Sequence, residues 1–260
     1  MKVNLCCPDS RKSCAACCGL YNVSDGTRDA LHEKLSRRTS LFQGTARSVE
    51  ALIRFQSTIR AIEIDSPLDP SIYVCEFTGF VDKDRFTPGC LLHPTAAGNG
   101  GIDLRGLCHY GSMACTSFYC PAWEELWAEE RGVVLGLLDD WHLYGLVIND
   151  LDFVKSLFAL LRLRVGSPLS EPRVLAGPAA EVVMEMLAWK VSWPWKGDSL
   201  IRASRYYCKR APCADESNVA AHISGILAAL GSTFGIETPM DGAQEFVEDA
   251  LDRFAGAYGK

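Results

Sequence analysis

Hydrophobic positions recur at helical spacing over most of the chain and lose that period near the N-terminus and again between about residues 71 and 120. The spacing of Val49, Leu52, Ile53, Ile59 and Ile62 predicts a helix that begins near Thr45, buries that face and ends before Ser66 and Pro67. Ahead of it, Ala30, Leu31 and Leu35 give a weaker stripe behind Ser24 or Asp25 as cap. From Pro121 onward the pattern is helical almost to the end. Pro121 suits a first helical position, Glu124 and Glu125 complement the positive end of the helix dipole, and Trp123, Trp127, Val134, Leu138 and Trp141 follow at helical spacing. Further helices are expected at about 150–163, 178–191, 217–230 and 241–256, with Pro178 and Asp241 as starts and Gly231 as a stop. Asp241 and Gln244 read as a capping box, with Val247, Leu251 and Phe254 continuing the stripe behind it.

Where the period fails, punctuation takes over. Residues 1–23 read as irregular backbone, and Gly79, Pro88, Gly89, Gly98, Gly100 and Gly101 break the segment from Ser71 to Cys120 into short strands and turns, the first around Ile72–Val74. The same glycines argue against helix there. The expected fold is mainly α with a small irregular or β-hairpin Cys-rich portion, with α+β as the alternative class. Two regions follow: 1–122, Cys-rich with two helices and short strands, and 123–260, helical, with packing of the two as one globule left open. Gly166 to Pro178 is the linker candidate, a turn between packed helices being the other reading of its Pro and Gly.

Composition bears this out and narrows the partners. Of 260 residues, 48% are hydrophobic and 22% charged, enough to build a core. The net charge of -6 and the absence of a block of Lys and Arg argue against a nucleic-acid binder. A basic and aromatic patch at Arg202, Arg205, Tyr206, Tyr207, Lys209 and Arg210 reads as a solvated helix face, with an anion or nucleic acid as the sharper alternative. Trp189, Trp193 and Trp195 read as packing against the helical core, with a protein partner docking on that region as the alternative. No apolar run reaches a membrane span, and the opening lacks the apolar core of a signal peptide, so the expectation is a cytoplasmic protein with no membrane partner.

The cysteines change the picture. There are twelve, and ten lie in the first 120 residues. In a reducing compartment such clustering points to metal ligands or redox groups rather than disulfides. Cys14 and Cys17 have the two-residue gap that lets both thiolates converge on one ion, and Cys18 beside them faces elsewhere, toward a second ion or into packing. Cys75, Cys90, Cys115 and Cys120 supply thiolates on separate loops, as a four-coordinate zinc site or an iron-sulfur cluster requires. Cys6 and Cys108 rank lower, and Cys208 and Cys213 read as ordinary buried thiols. His93 and His109 lie beside cysteines but read as structural hydrogen-bonding groups, and His32, His142 and His222 as helix residues. The cofactor expected is Zn or Fe, an Fe-S cluster included.

The order of these cysteines resembles the YkgJ-type CxxCxxCC family, described as a zinc- or iron-chelating domain and itself similar to the flagellin lysine methylase FliB. Cys7, Cys14, Cys17 and Cys18 match its spaced cysteines ending in a doublet. Cys75 with Phe77, Cys90 with Leu91 and Leu92, and Arg105 leading to Cys108 or Cys115 follow in order. The six-residue first gap is longer than the family's, and the glycine-rich Thr95–Gly101 is an insertion. The resemblance covers residues 6–122 and implies a metal centre held by Cys7, Cys14, Cys17, Cys18, Cys75, Cys90, Cys115 and Cys120. It leaves two function classes: a metal-binding protein, or an Fe-S-dependent redox or methyl-transfer enzyme, for which no acid or base can be singled out among Glu76, His93, Asp103 and His109.

Overall fold

The computed structural model describes residues 4–63, 67–197, 215, 217–235 and 240–259. It is mainly helical with one two-stranded antiparallel sheet among the described residues. The chain divides into two compact units: Met1–Cys120 with Asp140–Gly145, and Pro121–Asp139 with Leu146–Lys260.

In the first unit the N-terminal cysteines lie on irregular backbone that closes into a single 3-10 turn at Ala16–Cys18. Helix α1 (Arg28–Gln43) starts later than the sequence suggested, because Thr27 is the cap: its hydroxyl accepts the Ala30 N–H, while Asp25 accepts from Thr27 in the turn before. Helix α2 (Val49–Ile62) likewise starts at Ser48 rather than Thr45. Its buried face is Ala51, Leu52, Phe55 and Ile59; Val49, Ile53 and Ile62 are half exposed, at 51, 53 and 48%, which corrects the predicted face. The cause is Phe55, which stacks on Phe77 and meets Phe42 edge-on, so the aromatic ring sets which side of α2 faces the core.

The strands are β1 (Thr78–Phe80) and β2 (Pro88–Cys90), paired Thr78 with Cys90 and Phe80 with Pro88. Ile72–Val74, expected as strand, is irregular. The exclusion of helix from this segment also fails, because α3 (Gly111–Ser117) forms there. Its start uses Gly111 at positive φ, so a residue that reads as a breaker serves as an entry turn.

The run expected as continuous helix from Pro121 is divided into α4 (Ala122–Glu125), α5 (Ala128–Leu137) and α6 (Trp141–Asn149). Caps explain the breaks: Glu130 reaches back to the Trp127 N–H, and Asp140 accepts from His142 and Leu143 at the start of α6. In the second unit α7 (Leu151–Val165) is capped by Asp150 and is followed by α8 (Glu171–Val174) and α9 (Gly177–Ser192), so Gly166–Pro178 is a pair of turns carrying a short helix and not a linker. Helix α10 (Val219–Ala229) is capped by Asn218, and α11 (Met240–Tyr258) holds Asp241 in its first turn. Helix α7 packs against α10 and α11, and α9 against α11. The tryptophans pack as expected: Trp189, Trp193 and Trp195 gather around Phe246. The patch from Arg202 to Arg210, Cys208 and Cys213 lie outside the described residues. No described helix is long and apolar enough to cross a membrane.

Candidate functional site

The cysteine region of the first unit is built by three segments that meet at the 3-10 turn. Ala15 and Gly19, both in the left-handed region, bracket that turn, and the thiols of Cys17 and Cys18 on it interact with one another. Cys17 is exposed, whereas Cys18 packs against the apolar cluster of α1, α2 and the hairpin. The turn is fastened to the second segment by the Cys75 N–H, which donates to the Cys18 carbonyl at 2.9 Å. Gly19 fits there for lack of a side chain: a Cβ would stand 2.2 Å from the Tyr73 carbonyl oxygen.

Cys75 precedes the hairpin, Cys90 is the last residue of β2 and Cys108 follows the loop beyond it. All three, with Cys18, join Phe42, Phe55, Phe77, Leu91 and Leu92 in one apolar cluster. Cys115, on α3, places its Sγ 3.2 Å from that of Cys108. The loops are held by polar side chains behind them. Arg38 donates to the carbonyls of Cys75 and Thr78 at 2.8 and 3.3 Å, and Asn99 donates to those of Leu91 and His93, both at 2.8 Å. Arg105 spans Asp103 and the Cys115 carbonyl.

A different group of cysteines lies toward the N-terminus. The Cys14 N–H donates to the Cys6 carbonyl at 3.0 Å, Cys14 is buried, and Cys6, Cys14, Cys17 and Cys120 act electrostatically on one another. Tyr144 donates to the Leu5 carbonyl at 2.7 Å, and the buried ammonium of Lys12 lies 5.9 Å from its ring and 3.4 Å from Asp9. Cys7, beside Cys6, is exposed and its sulfur is directed at the Asp9 carbonyl.

Crowded thiols in a partly desolvated site are hard to ionise. Desolvation, with Cys17, Cys120 and Cys7 close by, pushes Cys6 up to about 12 although its residue reaches solvent. Burial raises Cys75, and burial takes Cys90 to about 11, where Cys108 adds to the effect and Arg105 opposes it. Cys115 rises to about 12 through desolvation and its contact with Cys108. Cys17 moves the other way, lowered because the Cys18 thiol donates to it. A set of thiolates here therefore needs a compensating cation. The donors suit a soft or borderline one, zinc or iron. Among the described residues no three His, Cys, Asp or Glu side chains stand grouped so as to hold a metal ion.

The structure thus brings together Cys18, Cys75, Cys90 and Cys115 from the sequence reading, and Cys14, Cys17 and Cys120 beside them, but leaves Cys7 aside. It adds Cys108 and Cys6. Cys108 and Cys115 are seven residues apart, a signal readable only once a helix is expected at Gly111–Ser117. His93 bonds Thr95 in its own turn and His109 stacks on Tyr73 at 4.0 Å, so each is tied into local structure. No family model, curated protein or solved structure matches the chain.

Proposed function

We propose that the chain is a metal-binding protein that chelates zinc or iron, the latter as an ion or an iron-sulfur cluster, through the thiolates of its first unit. The observation that carries this reading is the gathering of Cys18, Cys75, Cys90 and Cys108, from four separated stretches of sequence, in one apolar cluster with Cys115 against it. Packing alone does not call for this. Cysteine packs as a small hydrophobe, but thiols gathered in one cluster contribute little burial and make one another harder to ionise, whereas a bound dication turns that repulsion into ligation. Arg105, beside Cys90 and Cys115, offsets part of the excess negative charge that more than two thiolates on a dication leave behind. The cysteine order of the CxxCxxCC family supports the same reading.

Elemental analysis of anaerobically purified protein tests it. At least about one equivalent of zinc or iron is expected, lost in Cys75→Ser and Cys108→Ser because a hydroxyl does not replace a soft thiolate. Less than a tenth of an equivalent of any transition metal, with thermal stability unmoved by chelator, would sink the reading.

A further inference from the structure

Two of the clustered thiols already touch. The sulfurs of Cys108 and Cys115 stand 3.2 Å apart, both cysteines are free, and they differ in access: Cys108 is buried and Cys115 exposed. Ties on either side hold the contact. The Gly111 N–H donates to the Cys108 carbonyl at 3.2 Å where the chain enters α3, and the Arg105 guanidinium donates to the Cys115 carbonyl at 3.2 Å. Arg105 is itself forked onto Asp103, at 2.9 and 2.7 Å. A disulfide holds its sulfurs at about 2.0 Å, so closure asks for a movement of about 1 Å. Helix α3 can supply it, because none of its residues is buried, Met113 is 84% exposed, and the helix is entered through Gly111 at a φ of 76°.

An outer sulfur that an incoming molecule reaches, with an inner sulfur set against it, is the arrangement that thiol–disulfide exchange requires. We infer that Cys108 and Cys115 are a redox-active dithiol whose substrate is a low-molecular-weight disulfide, and that its oxidation withdraws two thiolates from the proposed metal centre. The pairing stands on the sulfur contact; the loss of ligands rests on the thiolate reading above. In the first step Cys115, its proton passed to solvent, bonds through sulfur to one sulfur of the disulfide RSSR, whose S–S bond breaks and releases RS−. In the second, Cys108 gives up its proton, attacks the Cys115 sulfur and expels the other RS−. The two leaving groups take up two protons, so two electrons pass from the cysteine pair to RSSR and two RSH are formed. In the metal-loaded protein the cation leaves in place of the cysteine protons, and the released thiolates draw theirs from water. The second step joins sulfurs already in contact and is favoured as an intramolecular reaction.

The full-length chain as purified, its metal content measured first, tests this on anaerobic incubation with oxidised glutathione. Remaining thiols are blocked with iodoacetamide, chymotrypsin cleaves after Tyr110 and Phe118, and the fragments are weighed without reduction. The expected result is a Cys108 fragment joined to a Cys115 fragment, separated by dithiothreitol, with metal released in step with the link. Cys108→Ser should instead accumulate glutathione on Cys115, because nothing resolves the mixed disulfide. Cys115→Ser, at an exposed residue, should leave Cys108 free of glutathione, and it decides the matter should the buried Cys108 variant fail to fold. Alkylation of both cysteines in the treated unaltered chain, or linkage of Cys115 to any other cysteine, overturns the dithiol and leaves the metal reading intact. Linkage with all metal retained overturns the withdrawal of ligands. A chain that carries no metal beforehand and still forms the link removes the thiolate reading and keeps the dithiol.

Discussion

Replacing Arg38 by Met should weaken the first unit more than any surface change, and its size can be worked from the contacts. The guanidinium is almost fully buried and forks onto Glu63, Nε to Oε1 at 3.0 Å and an Nη to Oε2 at 2.5 Å, while another Nη serves the carbonyls of Cys75 and Thr78. Removing one partner of a buried pair costs about 3–5 kcal/mol. Lys34 and Arg37 stay near Glu63, at 3.7 and 3.1 Å, which takes the carboxylate term to the low end of that range. Of the two carbonyls, that of Cys75 keeps the Thr78 N–H at 3.3 Å, and that of Thr78 adds about 1 kcal/mol. The expected loss is therefore about 3–5 kcal/mol, a large part of the stability of an ordinary domain. Arg38→Lys should fall between, because a point charge cannot reproduce the fork.

Urea unfolding followed by near-UV circular dichroism, with hydrogen exchange to place the change in residues 28–90, measures this. A loss below about 1 kcal/mol would refute the argument, since it would mean the buried fork contributes no more than an exposed ion pair. The pH dependence gives a second reading. Burial acts to raise the Glu63 carboxyl, but Arg38, with Lys34 and Arg37, outweighs it and holds the group below the usual carboxylate range. A depressed carboxylate stabilises the fold above its unfolded value, near 4.3, and that contribution is lost as pH falls through the folded one. In the presence of chelator, so that acid release of metal plays no part, stability should fall toward acid pH. Arg38→Met should fall less steeply.

Gly19→Ala should destabilise the first unit by about 2 kcal/mol or more and deplete metal, because the new Cβ meets the fixed Tyr73 carbonyl at a positive φ; metal content and melting temperature check both. Lys190→Met should cost the second unit about 3–5 kcal/mol in urea, since it takes the ammonium away from the buried Asp150 carboxylate and from the Ala229 carbonyl, and Lys190→Met/Asp150→Asn should recover part of the loss. Cys7→Ser should retain the metal of the unaltered chain by elemental analysis; loss of an equivalent would place Cys7 among the ligands.

Helices were legible where one face alone was apolar or where a cap stood at the boundary, as at α7, α9, α10 and α11, all within a few residues of their expected limits. Helix α2 shows the limit of periodicity: Val49, Leu52, Ile53, Phe55, Ile59 and Ile62 spread over more than one face, and only contact with Phe42 and Phe77, far along the chain, selects Leu52, Phe55 and Ile59. Helix α3 gave no sign, being short, polar and small in its residues and entered through a glycine. The cysteine region was legible as a set of thiols and illegible as an arrangement. Spacing showed that Cys14 and Cys17 are neighbours, but that Cys108 belongs with Cys75 and Cys90 depends on the hairpin and on the loop between Leu92 and Leu104, whose backbones bond at 3.1 Å.

The cysteine loops are tied to their scaffold by polar side chains. Ser13 donates to the Pro88 carbonyl and Thr87 to that of Ser10, which lays the N-terminal loop along β2; Asn22 holds the carbonyls of Asp69 and Ile72; Arg47 and Asn99 fix the loop after the hairpin. Each of these bonds satisfies a backbone group that irregular chain leaves without a ladder partner. This differs from a small zinc module, in which ligation supplies most of the folding free energy. A framework held by Arg38, Asn22 and Asn99 orders the backbone of these loops, so an ion bound as proposed would add stability in proportion to its affinity. Cysteine substitutions are for that reason read through metal content, while substitutions of the polar ties act first on stability and only through it on the metal.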